Sequence, residues 1–267
     1  MTSSTVWPIC LKDLDSITIP VRSVCFHPEN VVELESGMDK LWYLKQINIF
    51  EEVSKDELHE IDRISIHKKL SKKELIYLPG DRSNKVYLLK EGRVKVSRLS
   101  EDGREMTMVI LEPGEIFGES ALYSDQETRS TMAEALDDAI ICTIYKNEFE
   151  DLLKRQPDLS LRVTKAVGKR RREIESRLED MAFRSVPSRL AHLFLKLSEK
   201  YGKETGHGIK IDLPLTHLEI ANLIGSTRET TTTQINQIKR QGLIDVIKRD
   251  IYITDSKGLE ELAEVYE

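Results

Sequence analysis

Apolar and polar positions change period several times along the chain. Residues 1–39 sustain neither a helical nor a strand period and contain Pro8, Pro20 and Pro28, which reads as an irregular N-terminal extension. Leu41, Leu44, Ile47 and Phe50 then step by three, as do Leu58, Ile61 and Ile64, and this predicts short helices up to about Ile66. Between Lys68 and Tyr145 alternation takes over, with Val86 and Leu88, Val94 and Val96, and Met106, Met108 and Ile110 as successive examples. Gly80, Gly92, Gly103 and Gly114 fall eleven or twelve residues apart and Gly118 follows, as suits short antiparallel strands joined by tight turns. A β-barrel or β-roll is the expected form.

Beyond Pro157 the chain carries only Gly168 and no proline as far as Phe183. Val163, Val167, Ile174, Leu178 and Met181 step by four, seven, four and three, the a/d seam of a long helix that pairs with a second copy, with one layer missing. The gap falls on Lys169, Arg170, Arg171 and Arg172. Two readings stay open for that run: a solvated charged face, or cations with an anionic neighbour. From Arg184 the pattern predicts a helix over Val186–Lys200, a Gly-rich loop, a short strand in GIKIDLP, two short helices and a terminal hairpin. The expected organisation is α+β: an extension over 1–39, an antiparallel β-roll over 40–156, a dimerisation helix over 157–184 and a smaller C-terminal domain over 185–267.

The two short helices lie in LTHLEIANLIGSTRETTTTQINQIKRQGLI. Thr216 stands three residues before Glu219, and Ser226 three before Glu229, so each pair fits a capping box. Gly225 between them can take the left-handed conformation that ends a helix, giving the turn of a helix-turn-helix. With Thr231, Ile235 and Ile238 inward, Arg228, Glu229, Thr232, Thr233 and Asn236 share the outer face. In a DNA major groove an Arg binds guanine bidentately, a Glu accepts from cytosine and a Thr meets a phosphate or a thymine methyl. The alternative for Glu229 is a structural role as the cap partner of Ser226. Past this helix, GLIDVIKRDIYITD reads as a hairpin whose tip, Lys248–Asp250, either contacts backbone phosphate as the wing of a winged helix or is a plain charged turn.

Charge changes this picture only when taken locally. The 267 residues carry a net −6, which does not suggest a nucleic-acid partner. Arg184–Asp250, however, holds eleven Lys/Arg against seven Asp/Glu, a local +4 within an acidic chain. No apolar run approaches a membrane span and the N-terminus lacks the pattern of a leader, so no membrane partner and a cytoplasmic location are expected. Cys10, Cys25 and Cys142 are an odd number without a Cys-x-x-Cys, which speaks against disulfides or a zinc knuckle. Walker, zincin, nucleophile-elbow and kinase signatures are missing, so no enzyme is expected.

In the middle of the chain, PGEIFGESALYSDQETRSTM (Pro113–Met132) concentrates anion-binding chemistry. Gly118, Glu119 and Ser120 open a short helical turn, and Arg129 with Ser130 follows ten residues after the glutamate. Backbone N–H groups, a hydroxyl and a forked guanidinium suit a phosphate, while Glu119 can accept from a ribose hydroxyl. A surface Arg–Glu pair explains the same residues more simply.

Taken together, FGESAL with Arg129, Ser130 and Thr131, the upstream PGDRSNKVYLLKEGRVKV, and IANLIGSTRETTTTQINQIKRQGLI resemble the cyclic-AMP receptor/FNR (CRP/FNR) family of bacterial transcription regulators over about residues 40–255. The resemblance implies a cyclic-nucleotide-binding β-roll, a long dimerisation helix and a C-terminal winged helix-turn-helix. It implies a homodimer acting on double-stranded DNA with a two-fold operator and in contact with RNA polymerase. By the same likeness Gly118, Glu119, Ser120, Arg129 and Ser130 hold phosphate and ribose. The DNA contacts fall on Arg228 and Glu229, with Thr216, Ser226, Thr227, Thr233, Lys248 and Arg249 around them. Two departures stand out. A Thr–Ser pair that reads adenine in the cyclic-AMP receptor falls on Ile174 and Glu175, and Glu175 suits the edge of guanine as well as the amine of adenine, leaving cyclic AMP and cyclic GMP both open. A further base-reading Arg of that receptor falls on Thr233. The alternative is a regulator with a degenerate nucleotide pocket, either ligand-free or sensing redox state or a metal through Cys10, Cys25 and His27.

Overall fold

Alternating side chains in the middle of the chain fold into two antiparallel sheets. The protein is described by a computed structural model over residues 55–123 and 127–264; the extension, the helix expected over Leu41–Phe50, and Cys10, Cys25 and His27 lie outside the described residues. Helix α1 (Lys55–Ile64) turns Leu58 and Ile61 inward and ends where Ser65 Oγ donates to the Asp62 carbonyl (3.1 Å). The first strand, β1 (Ser65–Leu70), therefore starts earlier than the Lys68 boundary expected from alternation, because all six of its residues pair with β8 (Ala139–Tyr145). Between them come β2 (Leu75–Tyr77), β3 (Lys85–Glu91), β4 (Val94–Leu99), β5 (Glu105–Leu111), β6 (Ile116–Phe117), the short α2 (Ser120–Tyr123) and β7 (Met132–Ala135). The sheets have strand orders β1-β8-β3-β6 and β2-β7-β4-β5.

Strand β3 is buried on both faces, where alternation alone pointed to one. Val86 and Leu88 pack with Leu58, Phe149 and Leu159 beneath α1, α3 (Lys146–Arg155) and α4 (Pro157–Phe183), whereas Tyr87 and Leu89 face the roll interior with Tyr77 and Phe117. Helices covering the outer face of the sheet make both sides apolar. Ile110 on β5 likewise leaves the roll interior and joins Leu190, Phe194 and Leu223 in the core of the C-terminal domain.

The long helix starts with Pro157 in its first turn, where the missing N–H costs nothing. Its expected seam is divided. Val163 is buried and Val167 partly so, beside Leu159 and against the roll of the same chain, Ile174 and Met181 are half-buried, and Leu178 (54% exposed) stays on the surface, as does Phe183 (60%) beyond the seam. After α4 come α5 (Val186–Tyr201), capped by Ser185, then β9 (Gly202–Thr205), β10 (Gly208–Ile211), α6 (His217–Ile224), α7 (Arg228–Arg240), β11 (Ile244–Ile247), β12 (Asp250–Ile253) and α8 (Ser256–Ala263). The Gly-rich stretch after α5, expected as loop, is strand β9, which pairs with β10 along its whole length. Helix α8 was not expected; Asp255 caps it, and the carbonyl of Ala263 at its end accepts from Arg184 and Ser188.

Candidate functional site

The two halves of the Pro113–Met132 motif meet at one point. Gly118 has φ +70, a left-handed conformation that glycine alone adopts freely, and a Cβ there would stand 2.9 Å from both Arg129 Nη1 and the Tyr87 ring. Arg129 Nη1 donates to the Gly118 carbonyl (3.2 Å), and Nη2 donates to the Lys85 carbonyl. The guanidinium lies over the rings of Tyr77 (4.4 Å) and Tyr87 (5.4 Å), and those rings stack on Phe117. Arg129 is 5% exposed and its Nε is buried without a hydrogen-bond partner. Burial holds the Tyr77 hydroxyl above its ordinary value and pushes that of Tyr87 up to about 12, so both rings present neutral π faces to the cation. The PGDRSN loop brackets this arrangement: Arg129 N–H donates to the Asp81 carbonyl (2.8 Å) and Ser83 N–H to the Glu127 carbonyl (2.7 Å). Ser130 is exposed beside it, and Ser120 begins α2.

Glu119 is buried and answers a second arginine. Arg170 on α4 donates to Glu119 Oε1 (2.9 Å) and to the Ile116 carbonyl (2.7 Å). The cation run that breaks the helical seam thus has an anionic neighbour, the second of the two open readings. Arg170 was not among the candidate residues, and the gap in the seam was the signal that marked it. Glu175 does not reach the same place within the chain: it is exposed and pairs with Arg171 one turn back (2.6 Å). An i,i+4 partner on its own helix captures that carboxylate.

In the C-terminal domain Thr216 caps α6 in a full capping box with Glu219, and Gly225 (φ +63) ends that helix in the left-handed conformation. The second box does not form. Thr227, rather than Ser226, is the N-cap of α7, accepting from the Thr230 N–H (3.2 Å). Ser226 is taken up by the preceding turn, its N–H donating to the Ala221 carbonyl (3.0 Å). Glu229 is left exposed in the first turn of α7, free of a capping role. Thr231, Ile235 and Ile238 are buried, so Arg228, Glu229, Thr233 and Asn236 face outward. Within the four consecutive threonines, Thr232 donates to the Arg228 carbonyl (2.8 Å) and Thr233 to that of Glu229 (3.0 Å), which satisfies the hydroxyls without strengthening the helix, so the buried Thr231, Ile235 and Ile238 hold it in place. Strands β11 and β12 join through Lys248 (φ 51) and Arg249 (φ 80), a two-residue turn with both side chains exposed. Lys239 ties this hairpin to α7 by pairing with Asp245 (2.7 Å). The arrangement presents a helix N-terminus, with its positive dipole end and Arg228, and a cationic hairpin tip on a strand pair tied to the same helix through Lys239.

Family models for a cyclic nucleotide-binding domain and a Crp-like helix-turn-helix domain match residues 67–156 and 188–262. The chain is similar to the global nitrogen regulator of Synechocystis sp., at 34% identity over 70% of this chain and 83% of that protein. It is also similar to a CRP-like cAMP-activated global transcriptional regulator of Mycobacterium tuberculosis, at 27% identity over 70% of this chain and 84% of the relative. Among solved structures, a CooA mutant from Carboxydothermus hydrogenoformans superposes with a TM-score of 0.68 at 25% identity, covering 82% of this chain and 95% of that one. A CRP/FNR-family regulator from Thermus thermophilus gives 0.63 at 30% identity, over 75% and 100%.

Proposed function

Since this chain belongs to the CRP/FNR family of transcription regulators, with their nucleotide-binding and helix-turn-helix domains, we propose that it acts as a homodimer on a two-fold DNA operator under control of a cyclic nucleotide. Gly118, Glu119, Ser120, Arg129 and Ser130 hold the phosphate and ribose. The observation that carries this reading is the buried Nε of Arg129, a cationic donor without an acceptor beside the Gly118 turn. A phosphate oxygen satisfies such a group, and a contact between two ions is stronger than the cation–carbonyl contacts that Nη1 and Nη2 make. Glu119, drawn to a ribose hydroxyl, then loosens its hold on Arg170 and thereby on α4. Because α4 leads directly into α5 and the helix-turn-helix, a shift in its packing reorients α7. The nucleotide drives this only as far as its affinity differs between the two arrangements.

Leu178 and Phe183, exposed on the distal half of α4, supply the apolar contact between protomers, and Glu175 on the same helix reaches the base held by the partner copy. On DNA, Arg228 reads guanine in the major groove, Glu229 and Thr233 flank it, Thr216, Ser226 and Thr227 lie at the backbone, and Lys248 and Arg249 contact phosphate. Contact with RNA polymerase follows from the same family reading.

Calorimetric titration of cyclic AMP and of cyclic GMP into the full chain tests the ligand. Saturable binding is expected, weakened about 10- to 100-fold in Arg129→Ala as one charge-assisted contact is removed. Failure of both nucleotides to bind would sink the claim. One observation favours a second reading, a nucleotide-independent regulator: Arg129 and Glu119 already have partners within the chain. Full-strength operator binding without any nucleotide would establish it. Among the described residues no group of three His, Cys, Asp or Glu is placed to hold a metal, and Cys142 is buried in the core beneath α1 and α3.

A further inference from the structure

Away from the Gly118–Arg129 turn, a cavity of about 480 Å³ lies where the roll, the long helix and the DNA-binding domain meet. Its walls come from β5, α4, α5 and α6. The apolar side is formed by residues such as Val109, Leu193 and Leu223, and the remainder is strongly cationic. Six Lys/Arg line it (Lys169, Arg172, Arg177, Arg189, Lys196, Lys200) against two acids, Glu173 and Asp180.

Glu112, just outside the lining, pairs with Lys200 (2.9 Å) and Asp180 partly answers Lys196, but among the described residues Lys169, Arg172, Arg177 and Arg189 have no ion-pair partner. Asp180 is engaged by Arg184 and His192, both at 2.9 Å, and Lys196 is 3.9 Å away. Arg177 spends its guanidinium on the carbonyls of Thr107 and Met108 (3.0 and 3.1 Å), and Arg189 donates to the Ile224 carbonyl (2.8 Å). Carbonyls satisfy N–H groups without cancelling charge. Burial accordingly lowers the affinity of Arg177 for its proton, against the pull of Glu173 and Asp180. Arg189 Nε is buried with no partner at all. A half-covered cationic cavity with an apolar wall and an unmet donor is short of one component, a counter-charge attached to an apolar body.

We infer that this junction cavity binds a small amphiphilic organic anion, a carboxylate or phosphate headgroup on an apolar body, at a site separate from the Gly118–Arg129 turn. The headgroup meets Lys169, Arg172 and Arg189, and the body lies along Val109, Leu193 and Leu223. Because all three parts of the protomer contribute walls, an occupant favours the domain arrangement seen here over any in which the junction opens. The site is thus a second regulatory input, independent of whether the roll binds a nucleotide.

The probe is 1-anilinonaphthalene-8-sulfonate, an amphiphilic anion whose fluorescence rises on transfer from water. Titration of the folded full chain should give a saturable signal of one probe per chain. Sodium decanoate and decyl phosphate should displace it and uncharged decanol should not; whichever anion acts at lower concentration identifies the headgroup. Reversing two exposed cations in Lys169→Glu/Arg172→Glu should weaken probe binding at least about tenfold with the melting transition retained, whereas Arg129→Ala should leave it unchanged. No saturable signal, displacement by decanol as effective as by decanoate, or an unaltered affinity in the charge-reversed variant would each overturn the inference. Loss of the probe in Arg129→Ala would overturn it too, by assigning the binding to the roll.

Discussion

Replacing Gly118 by alanine separates two costs that are normally confounded. The residue has φ +70, and its added Cβ would stand 2.9 Å from Arg129 Nη1 and from Tyr87 Cδ2, and 3.2 Å from Tyr87 Cε2. Gly103 supplies the control: φ is +79, yet nothing lies within 4 Å of a Cβ built there. Both substitutions place an L-residue in the left-handed region, at about 1–2 kcal/mol. Only Gly118→Ala also overpacks, and the neighbours cannot easily retreat. The Tyr87 ring is stacked at 5.0 Å on Phe117 and 5.7 Å on Tyr77, and Arg129 is held by two carbonyls. Overpacking a well-filled interior adds about 1–3 kcal/mol. Gly118→Ala should therefore destabilise by about 2–5 kcal/mol and Gly103→Ala by about 1–2. Urea denaturation followed by circular dichroism, with linear extrapolation, measures both. Equal losses in the two variants would show that the Gly118 turn has room to spare, and the tight approach of Arg129 to its backbone would have to be abandoned.

Four further outcomes are expected. Thr227→Ala should cost about 1 kcal/mol by removing the cap of α7, whereas Ser226→Ala, outside the cap, should change stability by less than about 0.5 kcal/mol; the reverse order in urea melts would restore the Ser226–Glu229 box. Thr231 buries a hydroxyl whose Oγ1 has no partner, so Thr231→Val should stabilise by up to about 1 kcal/mol, and a lower urea midpoint would contradict this. Burial, with Lys196 beside it, holds His192 below the ordinary imidazole value of 6.5 despite contact with Asp180; the unfolded chain takes up that proton first, so stability should fall as pH drops through 6.5. The melting temperature of His192→Gln should accordingly depend less steeply on pH between about 7.5 and 5 than that of the parent. On DNA, Arg228→Ala should cost about 1–3 kcal/mol at one base pair and relax preference there, while Lys248→Ala should weaken all sequences alike and flatten the salt dependence; identical behaviour in competition binding would refute the assignment of α7 as the reading helix.

The parts of this protein legible in its sequence are those fixed by local chemistry. Thr216 with Glu219, and Gly225 after them, define α6 through hydrogen bonds and a φ value that depend only on near neighbours. The inward set Thr231, Ile235 and Ile238 follows from helical period alone. Where two local solutions compete, the sequence is ambiguous: Ser226 and Thr227 each offer a capping hydroxyl, and the requirement for Ser226 N–H in the turn after Gly225 decides between them. Long-range partners were hidden for a different reason. Alternation in β3 cannot announce that helices arriving sixty or more residues later cover its second face, nor that Val163 spends its apolar side chain on the roll rather than on a second copy. Most telling is the arginine run on α4. Its interruption of the seam marked a place where charge must be answered, but only the fold brings Glu119, fifty-one residues away in sequence, to Arg170. A break in a hydrophobic period therefore locates a buried counter-charge more sharply than it identifies it, and the unanswered cations Lys169 and Arg172 next to Arg170 pose the same question at the junction cavity.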